Sequence, residues 1–270
     1  MYFSRENVTY WYEERGEGFP VVMLHGFTGS SATWQSFINA FGSGYRIITI
    51  DLPGHGKTRT PSLKSMEECC GDLHSLFLSL QLESFHLVGY SMGGRTALSY
   101  SRLYPERVRS VVLESASPGI ASVRERRLRK ESDEVLAERI EQDGVPLFVN
   151  YWQDISLFHT QKRLAPDVQE QLRSERLSHT SEGLALSLRT MGTGSQVSLW
   201  SHLENLDMPV LLITGELDPK FVKINKKMQS HLKSGNLIVC ENAGHAIHVE
   251  KPETFGKIVI GFINANTGLD

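Results

Sequence analysis

Six segments of the chain are continuously apolar: VVMLHG (21–26), RIITIDLPG (46–54), FHLVGYS (85–91), VRSVVLESA (108–116), PVLLITGELD (209–218) and NLIVCENAG (236–244). Unbroken hydrophobicity of this kind marks strands buried on both faces, as in parallel sheets. Helical periodicity lies between several of them, over roughly 66–80, 93–103, 221–233 and 252–265. Strand–helix alternation predicts an α/β fold, with an open, mostly parallel sheet covered by helices on both faces. The first 15 residues differ. Tyr2 and Phe3, then Val8, Tyr10 and Tyr12, flank a turn at Asn7 and predict an antiparallel hairpin.

The strand rhythm stops between about 118 and 205, where the chain is polar and reads as several amphipathic helices. The segment predicts a helical cap (118–205) inserted after the sixth strand into a core formed by 1–117 and 206–270. Its basic residues are biased toward arginine: positions 124, 126, 127, 129, 139, 163, 173, 176 and 189, against only Lys130 and Lys162. A guanidinium offers a rigid fork matched to carboxylates, whereas an ammonium is a well-hydrated point charge. Most of these arginines are expected on a solvated surface among Glu and Asp, and two or three facing a ligand.

Composition narrows the class. A formal net charge of -3 without a clustered basic excess argues against a nucleic-acid partner. No run of about 18 apolar residues exists to span a membrane, and the N-terminus lacks a signal peptide's apolar stretch. Three cysteines, two of them the adjacent Cys69 and Cys70, form neither a disulfide framework nor a metal spacing. A cytoplasmic protein without a metal is expected, its oligomeric state open between monomer and weak homo-oligomer.

The chemistry is concentrated where strands end. GYSMG (89–93) is a G-x-S-x-G between a strand and a helix, the context of a nucleophile elbow with Ser91 at its apex. Elbow enzymes place the acid and then the histidine downstream. Asp218 ends LLITGELD and His245 follows LIVCENAG, both just past carboxyl ends of strands, where open α/β sheets build their sites. Asp218 would orient the ring and His245 would take the serine's proton. Asp218 could equally cap the helix before Phe221. Glu114 after VVLES competes as the acid, and His248 competes as the base. The backbone N–H groups of Met92 and Phe27 are candidates for an oxyanion hole, each such donor contributing about 3 kcal/mol. His25 in HGF and His55 in DLPGHG read as histidines that hold their loops. Arg95 stands four residues after Ser91 on the same helix face. A cation near a helix start opposes the dipole unless an anion compensates it. Either a carboxylate such as Glu114 pairs with Arg95, or a ligand does.

HGF, DLPGHG, GYSMGG, GELD and GHAIHVE, in this order and spacing, resemble the α/β-hydrolase superfamily over the whole chain. ESASPGI, FVNYWQDISLF, RLSHTSEGLALSLR, GTGSQVSLW and GELDPKF resemble one family within it, 2-succinyl-6-hydroxy-2,4-cyclohexadiene-1-carboxylate synthase of menaquinone biosynthesis. The resemblance implies a lyase that eliminates pyruvate from an enolpyruvyl cyclohexene acid and needs no cofactor. Ser91, Asp218 and His245 would form its triad, with Phe27 and Met92 as oxyanion amides. Tyr90, Arg95, Arg127, Trp152, Arg176 and Lys220 would bind a small polycarboxylate, with Arg124, Arg126 and Arg129 as neighbours with which Arg127 is easily confused. One departure is Ala121, where some members carry glutamine. The alternative is a serine hydrolase acting on an ester or carbon–carbon bond of an anionic substrate. A non-catalytic receptor on the same scaffold is disfavoured because every triad member is present.

Overall fold

The computed structural model describes residues 1–62 and 64–268. Eight strands form one sheet: β1 (Tyr2–Arg5), β2 (Val8–Arg15), β3 (Phe19–Leu24), β4 (Tyr45–Ile50), β5 (Phe85–Tyr90), β6 (Val108–Glu114), β7 (Val210–Gly215) and β8 (Gly235–Cys240). They lie in the order β1-β2-β4-β3-β5-β6-β7-β8. β1 and β2 form the antiparallel hairpin and β2 pairs antiparallel with β4, whereas all later pairings are parallel.

Each central strand divides its side chains between two cores, as a two-residue period requires. Leu24, Leu87, Leu113 and Leu212 face one side, where they meet α2 (Met66–Ser79) and α3 (Met92–Leu103). Met23, Val88, Val112 and Ile213 face the other, against α1 (Gln35–Phe41) and α9 (Pro252–Thr267). Both faces are covered, so β5 is buried along its entire length, and its sequence has no polar alternation.

Between β6 and β7 the described chain has helices and no strand. α4 (Val123–Trp152) starts at a Ser122 cap and kinks at Gly144–Pro146; α5 (Pro166–Leu177) and α6 (Ser181–Met191) follow. α4 and α6 share a small core of their own, from Ala137, Ile140, Phe148, Leu184 and Leu188. Arg189 clamps the pair with 2.8 and 2.9 Å bonds to Glu134 and Glu141. These helices seat on the sheet unit through a backbone contact. A Cβ at Gly183, at the start of α6, would lie 2.5 Å from the Gly54 carbonyl oxygen in the loop after β4.

α7 (Pro219–Gln229) follows β7, and the single turn α8 (Ile247–Glu250) follows β8. Gly183→Ala should force α6 away from Gly54 and cost about 1–3 kcal/mol of overpacking. A thermal melt several degrees lower is the expected readout, with a loss of activity because Ser187, Leu188 and Met191 of α6 line the cavity over Ser91.

Candidate active site

Parallel strands end on one edge, and the reactive groups collect there. Ser91 joins β5 to α3 in a left-handed conformation, φ 49° and ψ −105°, a strained state that persists only where its surroundings enforce it. Close packing does so here. A Cβ at Gly93 would come within 2.1 Å of the Leu24 carbonyl oxygen, so the turn crosses β3 at backbone contact. The Ser91 N–H donates to the Glu114 carbonyl at 2.8 Å, anchoring the turn to β6.

His245 Nε2 lies 3.1 Å from Ser91 Oγ, and His245 Nδ1 lies 2.7 Å from Asp218 Oδ2. His245 is 1% exposed and is packed between the rings of Tyr90 and Phe221. Asp218 also caps α7, accepting the Phe221 N–H on Oδ1 at 3.2 Å. The capping and ring-orienting roles therefore coexist, one on each carboxylate oxygen. Glu114 and His248 bind each other instead: the carboxylate accepts from His248 Nδ1 at 2.8 Å and from its backbone N–H at 2.9 Å. Neither side chain bonds Ser91 or His245.

Phe27 follows β3 and Met92 opens α3. Among the described residues no protein acceptor takes the N–H of either. His25 contributes to the direction of the Phe27 N–H. Its Nε2 accepts the Leu52 N–H at 2.9 Å, so Nδ1 carries the proton and donates to the Gly26 carbonyl at 2.8 Å. That carbonyl and the Phe27 N–H belong to one trans peptide, so holding the first aims the second the opposite way. His55 accepts the Thr28 N–H on Nε2 at 3.2 Å and donates to the Pro53 carbonyl at 3.1 Å.

A cavity of about 490 Å³ opens over these groups, lined by Ser91, Met92, His245, Trp152, Phe158 and Phe221 among others. Four cations border it: Arg95, Arg129, Lys220 and Lys227. Arg95 is 8% exposed and bonds only the neutral Gln196 Oε1, at 2.9 Å; no carboxylate among the described residues pairs with it. Burial pushes it down to about 10, with Arg129 adding to the shift, so it stays charged at neutral pH.

A model of the alpha/beta hydrolase fold family matches residues 20–252. A 2-succinyl-6-hydroxy-2,4-cyclohexadiene-1-carboxylate synthase of Enterobacter sp. (strain 638) is 30% identical over 87% of this chain and 88% of its own. A Bacillus subtilis (strain 168) protein carrying the same synthase name provisionally is 47% identical over 91% of this chain and 90% of its own. The structure of MenH from S. aureus superposes with a TM-score of 0.92 at 35% identity, covering 96% of this chain and 99% of that one. The chain belongs to this synthase family of α/β-hydrolases.

Within that family assignment, the structure places two of the expected arginines outside the main cavity. Arg127 is exposed, pairs with Glu131 at 3.7 Å and does not line the cavity. Helical phase is the reason. Positions 129, 133, 137 and 140 share a face whose last three members are buried, whereas 127 points roughly 200° away from 129. Arg129 reaches the cavity and is steadied by Asp133 at 2.7 Å. Arg176 lies beside the main cavity rather than in it. It stacks 4.9 Å from the Phe158 ring centre, bonds Gln161 Oε1 at 2.8 Å and lines two flanking clefts. Tyr90, Trp152, Lys220 and Ala121 do line the main cavity. Among the described residues no group of three His, Cys, Asp or Glu side chains could hold a metal ion.

Arg129→Ala should therefore reduce kcat/KM for an anionic substrate at least tenfold, with Arg127→Ala within a factor of two of wild type in the same assay. Acid should also weaken the fold before it titrates carboxylates. Burial lowers His25, His55 and His179 below the usual histidine range, and His86 to about 4. Near pH 5 the unfolded chain then binds more protons than the folded one, so stability falls as pH drops below about 6.5. Each histidine contributes up to about 1.4 kcal/mol per pH unit. Melting temperature should be flat from pH 8 to 7 and fall by pH 5; a flat profile to pH 5 would contradict this.

Proposed function

We propose that this chain eliminates pyruvate from 2-succinyl-5-enolpyruvyl-6-hydroxy-3-cyclohexene-1-carboxylate, yielding 2-succinyl-6-hydroxy-2,4-cyclohexadiene-1-carboxylate in menaquinone biosynthesis. The observation that carries the reading is Arg95, a buried guanidinium without a carboxylate partner, facing the cavity that holds Ser91. A buried unpaired charge is costly, and a bound carboxylate removes that cost. A neutral ester would leave it standing.

The chemistry follows from the hydrogen bonds. His245 withdraws the Ser91 proton across 3.1 Å, and Asp218 stabilises the imidazolium. Ser91 Oγ then takes the proton on the ring carbon beside the succinyl ketone. Negative charge moves to the ketone oxygen, where the Phe27 and Met92 N–H groups receive it. Collapse of that enolate shifts the ring double bond and breaks the carbon–oxygen bond to the enolpyruvyl group. The leaving group takes up a proton originating from His245 and ketonises to pyruvate. Each proton removed is returned, and no external oxidant or reductant enters. Arg95, Arg129 and Lys220 hold the carboxylates, while Tyr90 and Trp152 bound the ring; Arg176 joins them if Phe158 turns aside.

The proposal places the enzyme in the cytoplasm, acting on a free small-molecule polycarboxylate without a nucleic-acid or membrane partner. Its three cysteines are free and buried, which suits a reducing compartment, and no described helix is long and apolar enough to cross a membrane. Pyruvate release, followed by coupling to lactate dehydrogenase, should fall by at least 10³-fold in Ser91→Ala and His245→Ala. Arg95→Ala should lose roughly 10–150-fold in kcat/KM, the range for a hydrogen bond to a charged group. Rapid hydrolysis of a neutral nitrophenyl ester, indifferent to Arg95→Ala, would overturn the reading in favour of a hydrolase.

A further inference from the structure

Three consecutive peptide units follow β3 and pass the proposed oxyanion donor, and a different histidine holds each. His25 holds Gly26–Phe27 through its carbonyl, and His55 holds Phe27–Thr28 through its N–H. The third, Thr28–Gly29, is held by His179 from the inserted helices: Nε2 lies 2.9 Å from the Thr28 carbonyl oxygen. The Gly56 N–H donates to His179 Nδ1 at 3.2 Å, which leaves the ring proton on Nε2, facing Thr28. Thr28 has φ 69°, a left-handed state that a β-branched residue resists. Something outside the loop must hold it there.

One turn before His179, Glu175 supplies a second tie to the same loop. Its Oε1 accepts from the Ser30 N–H at 3.0 Å, the Ser30 hydroxyl at 2.7 Å and the Thr33 hydroxyl at 2.8 Å. Thus Glu175 on α5 and His179 just past its end grip residues 28–33 at four points, while His25 and His55 grip the loop's start from within the sheet unit. The His55 and His179 rings meet edge-on with centres 5.2 Å apart, so the two sets of contacts are continuous.

We propose that His179 and Glu175 are positioning residues for the reaction: they complete the oxyanion loop from the inserted helices, so the Phe27 N–H is correctly aimed only when those helices are seated. This rests on the reading of Phe27 as an oxyanion donor. The device ties the enclosure of the cavity to the readiness of the hole, because α4 and α6 of the same insertion form the cavity roof.

Two near-isosteres separate the contacts. His179→Gln keeps an N–H donor near the Nε2 position for Thr28 but loses the acceptor for Gly56; His179→Asn does the reverse. In the pyruvate-release assay, His179→Asn and Glu175→Ala should lower kcat about 10–30-fold with KM within threefold. That is less than the 10²–10³ expected for deleting a donor outright. His179→Gln should stay within about threefold of wild-type kcat, although its melting temperature falls as much as that of His179→Asn. Equal kcat losses in the Gln and Asn variants, or losses in proportion to melting temperature, would assign His179 to fold stability alone and overturn the proposal. So would unchanged kcat in both His179→Asn and Glu175→Ala. Ser91→Ala in the same assay reports on the underlying reading: if it remains active, the site reading fails, and if it is silent while the His179 variants are unaffected, only the loop proposal fails.

Discussion

The site depends on backbone strain placed where neighbouring parallel strands end. Thr28, Ser91 and Ser115 follow β3, β5 and β6, which are adjacent in the sheet, and all three have positive φ, at 69°, 49° and 47°. Such residues each cost on the order of 1–3 kcal/mol, yet this edge concentrates them. The sheet is what sustains them. Ser91 donates to the Glu114 carbonyl and Ser115 to the Ile213 carbonyl, so each turn is pinned by the next strand's ladder. A parallel register thus converts hydrogen bonds in the core into the direction of a serine hydroxyl and two amide protons. The same logic explains the histidines beneath the loop. They are buried, neutral by hydrogen-bond demand, and spent on peptide orientation rather than on proton transfer.

The buried carboxylates at this edge are matched residue by residue, whereas two buried guanidiniums are not. Asp218 divides its oxygens between a helix cap and His245. Glu114, entirely buried, is satisfied by His248 twice over. Asp133 takes up Arg129 and the Gly194 N–H. Arg95 and Arg176 form no ion pair among the described residues; Gln196 orients the first and Gln161 the second without neutralising either. Fixing a guanidinium with a neutral amide preserves its appetite for an anion while removing its rotational freedom. That is preorganisation of a binding group.

Much of this was legible in the sequence because the physics involved is local. Continuous apolar runs mark strands buried on both faces, and those runs overlap β3 through β8 with end shifts of a few residues. The order Ser91, Asp218, His245 was readable because chain order and strand ends suffice to place them on one edge. Glu114 and His248 compete with Asp218 and His245 in that respect, since all four lie at or just past strand ends; the contacts of His245 with Ser91 and Asp218, and of His248 with Glu114, separate them. Helical phase separates Arg129 from Arg127 in the sequence itself. Asp133, Ala137 and Ile140 define the inward face of α4, and Arg129 is in phase with them. His179 carried no signal of its own, because its partners, Thr28 and Gly56, are more than a hundred residues away and are backbone atoms.

A triad of this geometry is competent for two chemistries, attack on a carbonyl or removal of a carbon-bound proton. What decides between them is which substrate atom rests over Ser91 Oγ. A carbonyl carbon must approach the serine along its bonding trajectory with its oxygen already between the proposed oxyanion donors, Phe27 and Met92. For an elimination, the ketone oxygen takes that same place while the neighbouring C–H, one bond further out, meets the hydroxyl oxygen. Shifting a ligand by one bond length requires no new catalytic group, only anchors that set its depth. On the proposed reading Arg95 contributes to that control: α3 fixes its Cα one turn from the serine, and Gln196 Oε1 holds its guanidinium. A cation carried on α3 is therefore a ruler as well as a charge. This is why the hydrolase machinery can be retained intact while the reaction changes class.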